Sequence, residues 1–367
     1  MRSLAFVAVL LVLSSGAARA QSEDGKSDLG RAGLAGRVKS VEVWRVEYAL
    51  GEGGSVEYKR NHVRKTSYDE QGRRGEEVTY DQAGSTSERL VYTYDAAGRS
   101  TGYEEYSGLL DKGLSKPRRH VYALDAAGRR TEYTVYDSNG SVASRFTYAY
   151  DAAGNKTEEA FYSWQGRRTG RIVYAYDARG NLLSQTSYDE ADAVSWKNVH
   201  VYDAEGRKTE SAQYRGETLR YGFFYKYDGK GRLKEVETRE LNAVPNVIVT
   251  HSPEPGRVVY TYDDEKRTKE VVTYDAGGAL KMRLLYSLDG KGNDAGVKEL
   301  NADGSPRPAG IRWFDEKATL RTVSGAPTAE FVYDARGNWT RKTFLIRPEG
   351  AERAEPYRAE IREIVYY

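Results

Sequence analysis

The chain has 367 residues, with 56 Lys and Arg against 54 Asp and Glu and a formal charge of +2. Charges of both signs are interleaved, so no global field draws the chain toward nucleic acid or an anionic membrane. The absence of cysteine excludes disulfides, a thiolate nucleophile and a lipidated cysteine.

Residues 1–20 read as a cleaved signal peptide. Arg2 forms the positive end, Leu4 to Leu13 the apolar stretch, and Ala18-Arg19-Ala20 the cleavage site before Gln21. Ten apolar residues are too few to cross about 30 Å of hydrocarbon. No later stretch is long and apolar enough either, so the mature chain is expected to be exported, periplasmic or secreted, with no transmembrane segment. Removing Arg2 and Arg19 takes no acid with them and leaves 54 basic and 54 acidic groups, a net charge of zero. Residues 21–36 read as a polar, Gly-rich lead-in, and 37–367 as a single domain. The first strand is predicted from Arg37 to Tyr48, with Val38, Val41, Val43 and Val46 around Trp44.

From there the chain repeats. Tyr-Asp pairs occur twelve times, where composition predicts roughly two. One series, Y-D-x-x-G-[RN], starts at Tyr68, Tyr94, Leu124, Tyr150, Tyr176, Tyr202, Tyr227, Tyr262, Leu288, Phe314 and Tyr333; six of its ten steps are 26 residues. A second, looser series lies 12 residues later, at Tyr80, Tyr106, Tyr136, Tyr162, Tyr188, Tyr214, Tyr274 and Leu300. Two turns per unit mean two strands per unit, a meander of antiparallel hairpins. The turn residues fit. Asp95, Asp151, Asp177, Asp203 and Asp334 can accept amides ahead of them. Gly98, Gly154, Gly180, Gly206 and Gly337 can take the positive φ of a type I turn with a following bulge.

Between turns the pattern has period two, as in Leu90, Tyr92 and Tyr94 against Val91 and Thr93. The fold class is therefore all-β. Roughly 22 to 25 strands about 4.8 Å apart make a sheet too wide to stay flat under right-handed twist. A strongly curled sheet, spiral or shell is expected, with one turn type along each rim. Prolines at 245, 253, 255, 306 and 308 mark 239–258 and 303–312 as projecting loops or sheet edges.

The Y-D-x-x-G-[RN] units, most cleanly Tyr94-Asp95-Ala96-Ala97-Gly98-Arg99 and Tyr176-Asp177-Ala178-Arg179-Gly180-Asn181, resemble the YD repeats of Rhs-type bacterial proteins, toxin-complex subunits and teneurins. The resemblance covers about residues 60–345. It implies strips of antiparallel sheet that spiral into a shell, and an association with carbohydrate binding. The D-P-x-G core motif and toxic C-terminal domain that it also leads one to expect are missing. Asp334-Ala335-Arg336-Gly337 is a further repeat turn, and Glu360 to Tyr367 reads as an ordinary strand. A free-standing member is expected.

Two residues before each first-series mark stand Tyr92, Tyr122, Tyr148, Tyr174, His200, Tyr225, Tyr260 and Tyr286. In a meander they share one face. Cross-strand packing explains them, and an aromatic binding surface is the functional alternative. His62, His120, His200 and His251 share no metal-ligand spacing, and His200 reads as a substituted packing residue. Asp289-Gly290-Lys291-Gly292-Asn293-Asp294 lacks the ligand alternation of a calcium loop and falls in turn register. No nucleophile elbow, Walker A or dinucleotide fingerprint occurs. No catalytic residue, metal or cofactor is assigned. The expected function is an exported structural or binding module for a protein or cell-envelope partner. Carbohydrate recognition is the alternative, and a toxin-system accessory a more distant one.

Overall fold

The computed structural model describes residues 28–51, 54–107, 116–242, 253–290, 292, 294–305, 312–314, 320–322, 328–347 and 353–367. A short helix, α1 (Asp28–Arg31), precedes β1 (Val38–Gly51), β2 (Gly54–Tyr68), β3 (Arg74–Tyr80), β4 (Thr86–Tyr94), β5 (Ser100–Ser107) and β6 (Arg118–Leu124). Then come β7 (Arg130–Tyr136), β8 (Val142–Tyr150), β9 (Lys156–Ser163), β10 (Arg168–Tyr176), β11 (Leu182–Asp189) and β12 (Val194–Tyr202). They are followed by β13 (Lys208–Arg215), β14 (Thr218–Tyr227), β15 (Leu233–Glu240), β16 (Gly256–Asp263), β17 (Thr268–Asp275) and β18 (Leu280–Leu288). The last are β19 (Asp294–Leu300), β20 (Arg312–Phe314), β21 (Leu320–Thr322), β22 (Thr328–Tyr333), β23 (Trp339–Ile346) and β24 (Glu355–Tyr366). The predicted all-β hairpin array is present. Most of the two proline-marked segments, including His251, lies outside the described residues.

A 22-stranded antiparallel sheet holds every strand except β20 and β21, which pair with each other. The last strand, read from the sequence as an ordinary strand over Glu360 to Tyr367, falls on β24. It pairs with β1 from Val38↔Tyr366 to Glu47↔Arg358, so the order runs β22-β23-β24-β1-β2 and on to β19. Pairing both edges of β1 satisfies backbone groups that a bare edge would expose. It also forms the tightest packing in the molecule, with Val38, Val46 and Ala359 fully buried.

Residues 28–36, within the polar, Gly-rich lead-in, are fastened to the sheet. Leu29 is buried among Val38, Val41 and Tyr68. The Asp28 carboxylate accepts the Arg74 amide and the Tyr94 hydroxyl, each at 2.7 Å. Asn338 clasps Ala35, accepting its amide at 2.7 Å and donating to its carbonyl at 2.9 Å. Among the described residues Val38 and Val46 are the largest fully buried side chains. The fold therefore rests on ladder hydrogen bonds and cross-strand pairs rather than on a thick core.

Both turn series have one backbone geometry. Asp177 N–H donates to the Asn181 carbonyl at 2.9 Å, and Gly180 N–H to the Asp177 carbonyl at 3.0 Å. On the other rim Asp137 and Ser141, and Gly140 and Asp137, do the same at 2.9 and 3.0 Å. A bulge follows most turns, as between Ala175 and Tyr176 or Val135 and Tyr136, though not the Asp263 turn, where pairing runs unbroken to Asp263↔Thr268. The looseness of the second series lies in its side chains, not in its backbone.

Candidate functional site: the ladder face

The tyrosines fall into three classes with different work. First-series rings reach along the rim. Tyr150, Tyr176, Tyr202 and Tyr227 donate their hydroxyls to the carbonyls of Arg130, Lys156, Leu182 and Lys208 at 2.7–2.9 Å. Each thus grips the first residue of the preceding odd-numbered strand. Below them the turn aspartates bind the fourth residue on: Arg99 to Asp95, Arg129 to Asp125 and Arg207 to Asp203 at 2.7 Å, Asn155 to Asp151 at 2.9 Å and Asn181 to Asp177 at 2.8 Å. The guanidiniums then lie over the next first-series ring, Arg129 on Tyr150 at 4.8 Å and Arg207 on Tyr227 at 5.0 Å. The residues marked as repeat turns are a latch between repeats. Tyr333, on edge strand β22, has no such neighbour among the described residues and is 58% exposed.

Second-series rings occupy the reverse face of the sheet. Most pair across strands with a cation, as Arg89 with Tyr106, Arg145 with Tyr162 and Arg171 with Tyr188, while Tyr80 stacks on His62. The guanidiniums stand 4.3–5.0 Å from the ring centres.

The third class is the predicted ladder, and the register puts all eight members on one face. Tyr92 pairs with Tyr103, Tyr122 with Tyr133, Tyr148 with Glu159 and Tyr174 with Gln185. His200 pairs with Ser211, Tyr225 with Val236, Tyr260 with Val271 and Tyr286 with Val297. They are half-buried or, for Tyr174, buried. The residue after each (Thr93, Ala123, Ala149, Ala175, Val201, Lys226, Thr261 and Ser287) points the other way and is exposed in every case. Burial raises the hydroxyl pKa of Tyr92, Tyr122, Tyr148, Tyr174, Tyr225 and Tyr286, and pushes Tyr260 up to about 12. None of them ionises near neutral pH.

The ladder face changes character along the sheet. From β4 to β9 it is an aromatic stack with embedded charge. Ring centres lie 5.8 Å apart for Tyr92 and Tyr103, 4.2 Å for Tyr103 and His120, and 5.4 Å for Tyr133 and Phe146. His120 is held at both nitrogens, by Glu105 at 2.8 Å and the Tyr133 hydroxyl at 2.6 Å. With its side chain only 7% exposed, it is a saturated bonding centre with no free valence toward a ligand. Beyond β15 the same rows are aliphatic: Val236 opposite Val258, then Val271 opposite Leu284. Between these, over β11–β13, the face carries mainly amides and hydroxyls with one indole: Gln185 opposite Asn198, Asn198 opposite Gln213, and Trp196 between Ser187 and Arg215. Tyr174 and Tyr225 flank this stretch.

His200 lies inside the polar stretch. Its Nδ1 is 2.5 Å from the Ser211 hydroxyl. Burial, with the Lys208 charge adding to it, holds its pKa down at about 4, so the ring is neutral at physiological pH. An open cleft of about 460 Å³ lies beside it, lined by Asp177, Leu183, His200, Val201 and Tyr202. The Asp289 loop is a repeat turn, with Gly292 N–H on the Asp289 carbonyl at 3.1 Å. Among the described residues no helix is long and apolar enough to cross a membrane.

No family model matches the sequence, and no curated protein matches it. Solved structures give distant likenesses. The TcdB2-TccC3 structure superposes with a TM-score of 0.30 at 12% identity, covering 84% of this chain and 20% of that one. The Photorhabdus luminescens Tc holotoxin pore gives 0.29 at 12% identity, again spanning only 20% of the toxin chain. A porin-like protein from Bacteroides uniformis gives 0.21 at 12% identity, over 89% of this chain and 98% of that one. The chain itself is an all-β antiparallel repeat array.

Proposed function

We propose that this chain is an exported YD-repeat scaffold that binds an extended polar ligand, a glycan chain of the cell envelope, along its ladder face. The observation that carries the reading is the amide-rich stretch over β11–β13, where Gln185, Asn198, Gln213 and Trp196 share the surface with Tyr174 and Tyr225, and with the cations Lys208 and Arg215. Amides donate to and accept from hydroxyls, and ring faces take the apolar side of a sugar. A protein interface of this size would be expected to carry a more apolar centre. Charged side chains recur along both faces, unlike the apolar band that contact with lipid requires.

The reading has the sheet curled toward the ladder face. Laid flat, 22 strands would span roughly 100 Å. The segment 301–327 must join the edge strands β19 and β22. With β20 and β21 folded back on each other, it reaches at most about 70 Å. The strands also slant. Tyr148 pairs with Glu159 and Glu159 with Ile172, yet the next ladder ring, Tyr174, lies two residues further on. That stagger tilts the strands about 35° away from the perpendicular to the row of turns, in the range of curled and closed sheets.

The test is titration of the purified chain from residue 21 against a panel of envelope and plant polysaccharides. Saturable binding, weakened about tenfold or more by Tyr225→Ala with the strand content unchanged by circular dichroism, is the expected result. Capture of one specific envelope protein with no glycan bound would replace this reading with that of a protein scaffold.

A further inference from the structure

The repeat provides its own control for one residue on the ladder face. The position just after each Y-D-x-x-G-[RN] turn opens an odd-numbered strand, and in β3, β7, β9 and β13 it is a cation: Arg74, Arg130, Lys156 and Lys208. Three residues later stands its natural counterpart, Glu77, Tyr133, Glu159 and Ser211. Arg74 lies 3.7 Å from the Glu77 carboxylate and donates to the Tyr92 hydroxyl at 3.0 Å. Arg130 lies 3.6 Å over the Tyr122 ring. Lys156 Nζ is 2.7 Å from the Glu159 carboxylate and lies 4.9 Å over Tyr174.

Lys208 occupies the corresponding place between His200 and Tyr225, and it has none of these partners. Among the described residues no carboxylate pairs with it and no ring lies beneath it. Its neighbour His200 is neutral and bonded to Ser211. The Lys208 side chain is half-buried, and burial alone lowers its pKa. A desolvated cation without a counter-charge is costly, and in this fold the neighbouring repeats supply one.

We propose that Lys208 is the anion subsite of the ladder face and takes the carboxylate of an acidic sugar, a uronate, at the place where Glu159 stands in the Lys156 repeat. This rests on the glycan reading above and specifies it. A single ammonium without an arginine fork or a second cation matches a monoanionic carboxylate rather than a phosphate dianion. The amides of Gln185, Asn198 and Gln213 lie on the same face for the hydroxyls, and Tyr225 is the ladder ring of the following strand, β14.

Two measurements test it. In the first, the full mature chain is titrated with oligogalacturonate and with its methyl ester, which keeps the shape and loses the charge. The acid should bind roughly tenfold more tightly. Lys208→Gln should bring it down to the affinity of the ester, and Lys208→Arg should retain the preference. Equal binding of acid and ester overturns the subsite and leaves the glycan reading standing. Binding of neither removes both. The second measurement needs no ligand. Ser211→Glu rebuilds the pair seen at Lys156 and Glu159, so it should raise the urea midpoint of the wild-type chain and lower that of Lys208→Gln. Because Ser211→Glu also removes the His200 bond, the reading is the difference between the two backgrounds. A midpoint change no more favourable in the wild-type chain than in Lys208→Gln shows that Lys208 does not lack an anion, and overturns the proposal whatever the titrations give.

Discussion

At the rim where β6, β8 and β12 end, each turn is tied to the next repeat. Arg129 bonds Asp125 and covers Tyr150, whose hydroxyl grips the Arg130 carbonyl. At the opposite rim, where β7, β11 and β17 end, the same backbone turn carries Ser141, Ala193 or Ala279 in the arginine's place. There the aspartate–arginine latch does not recur, and turns are joined only in places, as where Arg167 reaches Glu190 of the next turn at 2.9 Å and Arg168 reaches Asp192 at 2.6 Å. One rim is thus held by a repeated latch, the other by scattered ion pairs. The loose rim carries the short Arg215-Gly216-Glu217 turn and Asp192 at a φ of 60° where other turns have glycine, and the latched rim has one departure of its own, Arg267 at 50°. A strict consensus therefore marks the repeated latch between repeats, and the loose one marks the absence of that latch.

The shared backbone makes the largest prediction a symmetrical one. Gly154 and Gly140 sit at φ of 89° and 92° on opposite rims. Valine at either should cost about 2 kcal/mol, equally, in urea unfolding. Unequal losses would show that the rims differ in backbone after all. Side chains should then separate them. Tyr176→Phe removes a 2.9 Å hydrogen bond to the Lys156 carbonyl and should cost about 1 kcal/mol. Tyr188→Phe, on the reverse face under Arg171, should cost close to nothing. Comparable losses would abolish the distinction between latch and packing tyrosines.

Acid should act in two stages. His200 is held at about 4 when folded, against about 6.5 when unfolded, so its contribution is complete above pH 6.5 and declines as pH falls toward 4. His200→Gln should flatten that part of the stability profile. Asp125, Asp151 and Asp177 are held below the ordinary carboxylate range by the side chains of Arg129, Asn155 and Asn181, and then by the amides of the same residues. Their share persists above about pH 4 and is lost below it. Asp177→Asn should soften only this second stage, the smallest of the expected effects. A single-step loss common to both variants would contradict the assignment.

The ladder and both rims were legible because they depend on local rules: alternation along a strand, and a turn every 12 or 14 residues. Two features were legible in principle but required reading the repeats as columns. One is Lys208 with Ser211 in the place of glutamate, and the other the uncharged run of Gln185, Asn198 and Gln213. The Glu105–His120–Tyr133 contact was out of reach, because it joins residues 15 and 13 apart across two different strand pairs. One of those pairs carries a bulge, at Ala123/Leu124, and the other none, and no periodicity along the chain reports which.

The sequence alone determined the strand count, the turn chemistry, the side on which each tyrosine lies and the absence of disulfide support. These follow from the pleat and from glycine's access to positive φ, which act within a few residues. Tertiary structure alone decided that β24 closes on β1, that residues 28–36 are fastened by Leu29, Asp28 and Asn338, and that one face shields its rings. Those outcomes depend on contacts between residues some 300 positions apart, as between Ala35 and Asn338, and the physical need behind them is to leave neither edge of β1 unpaired.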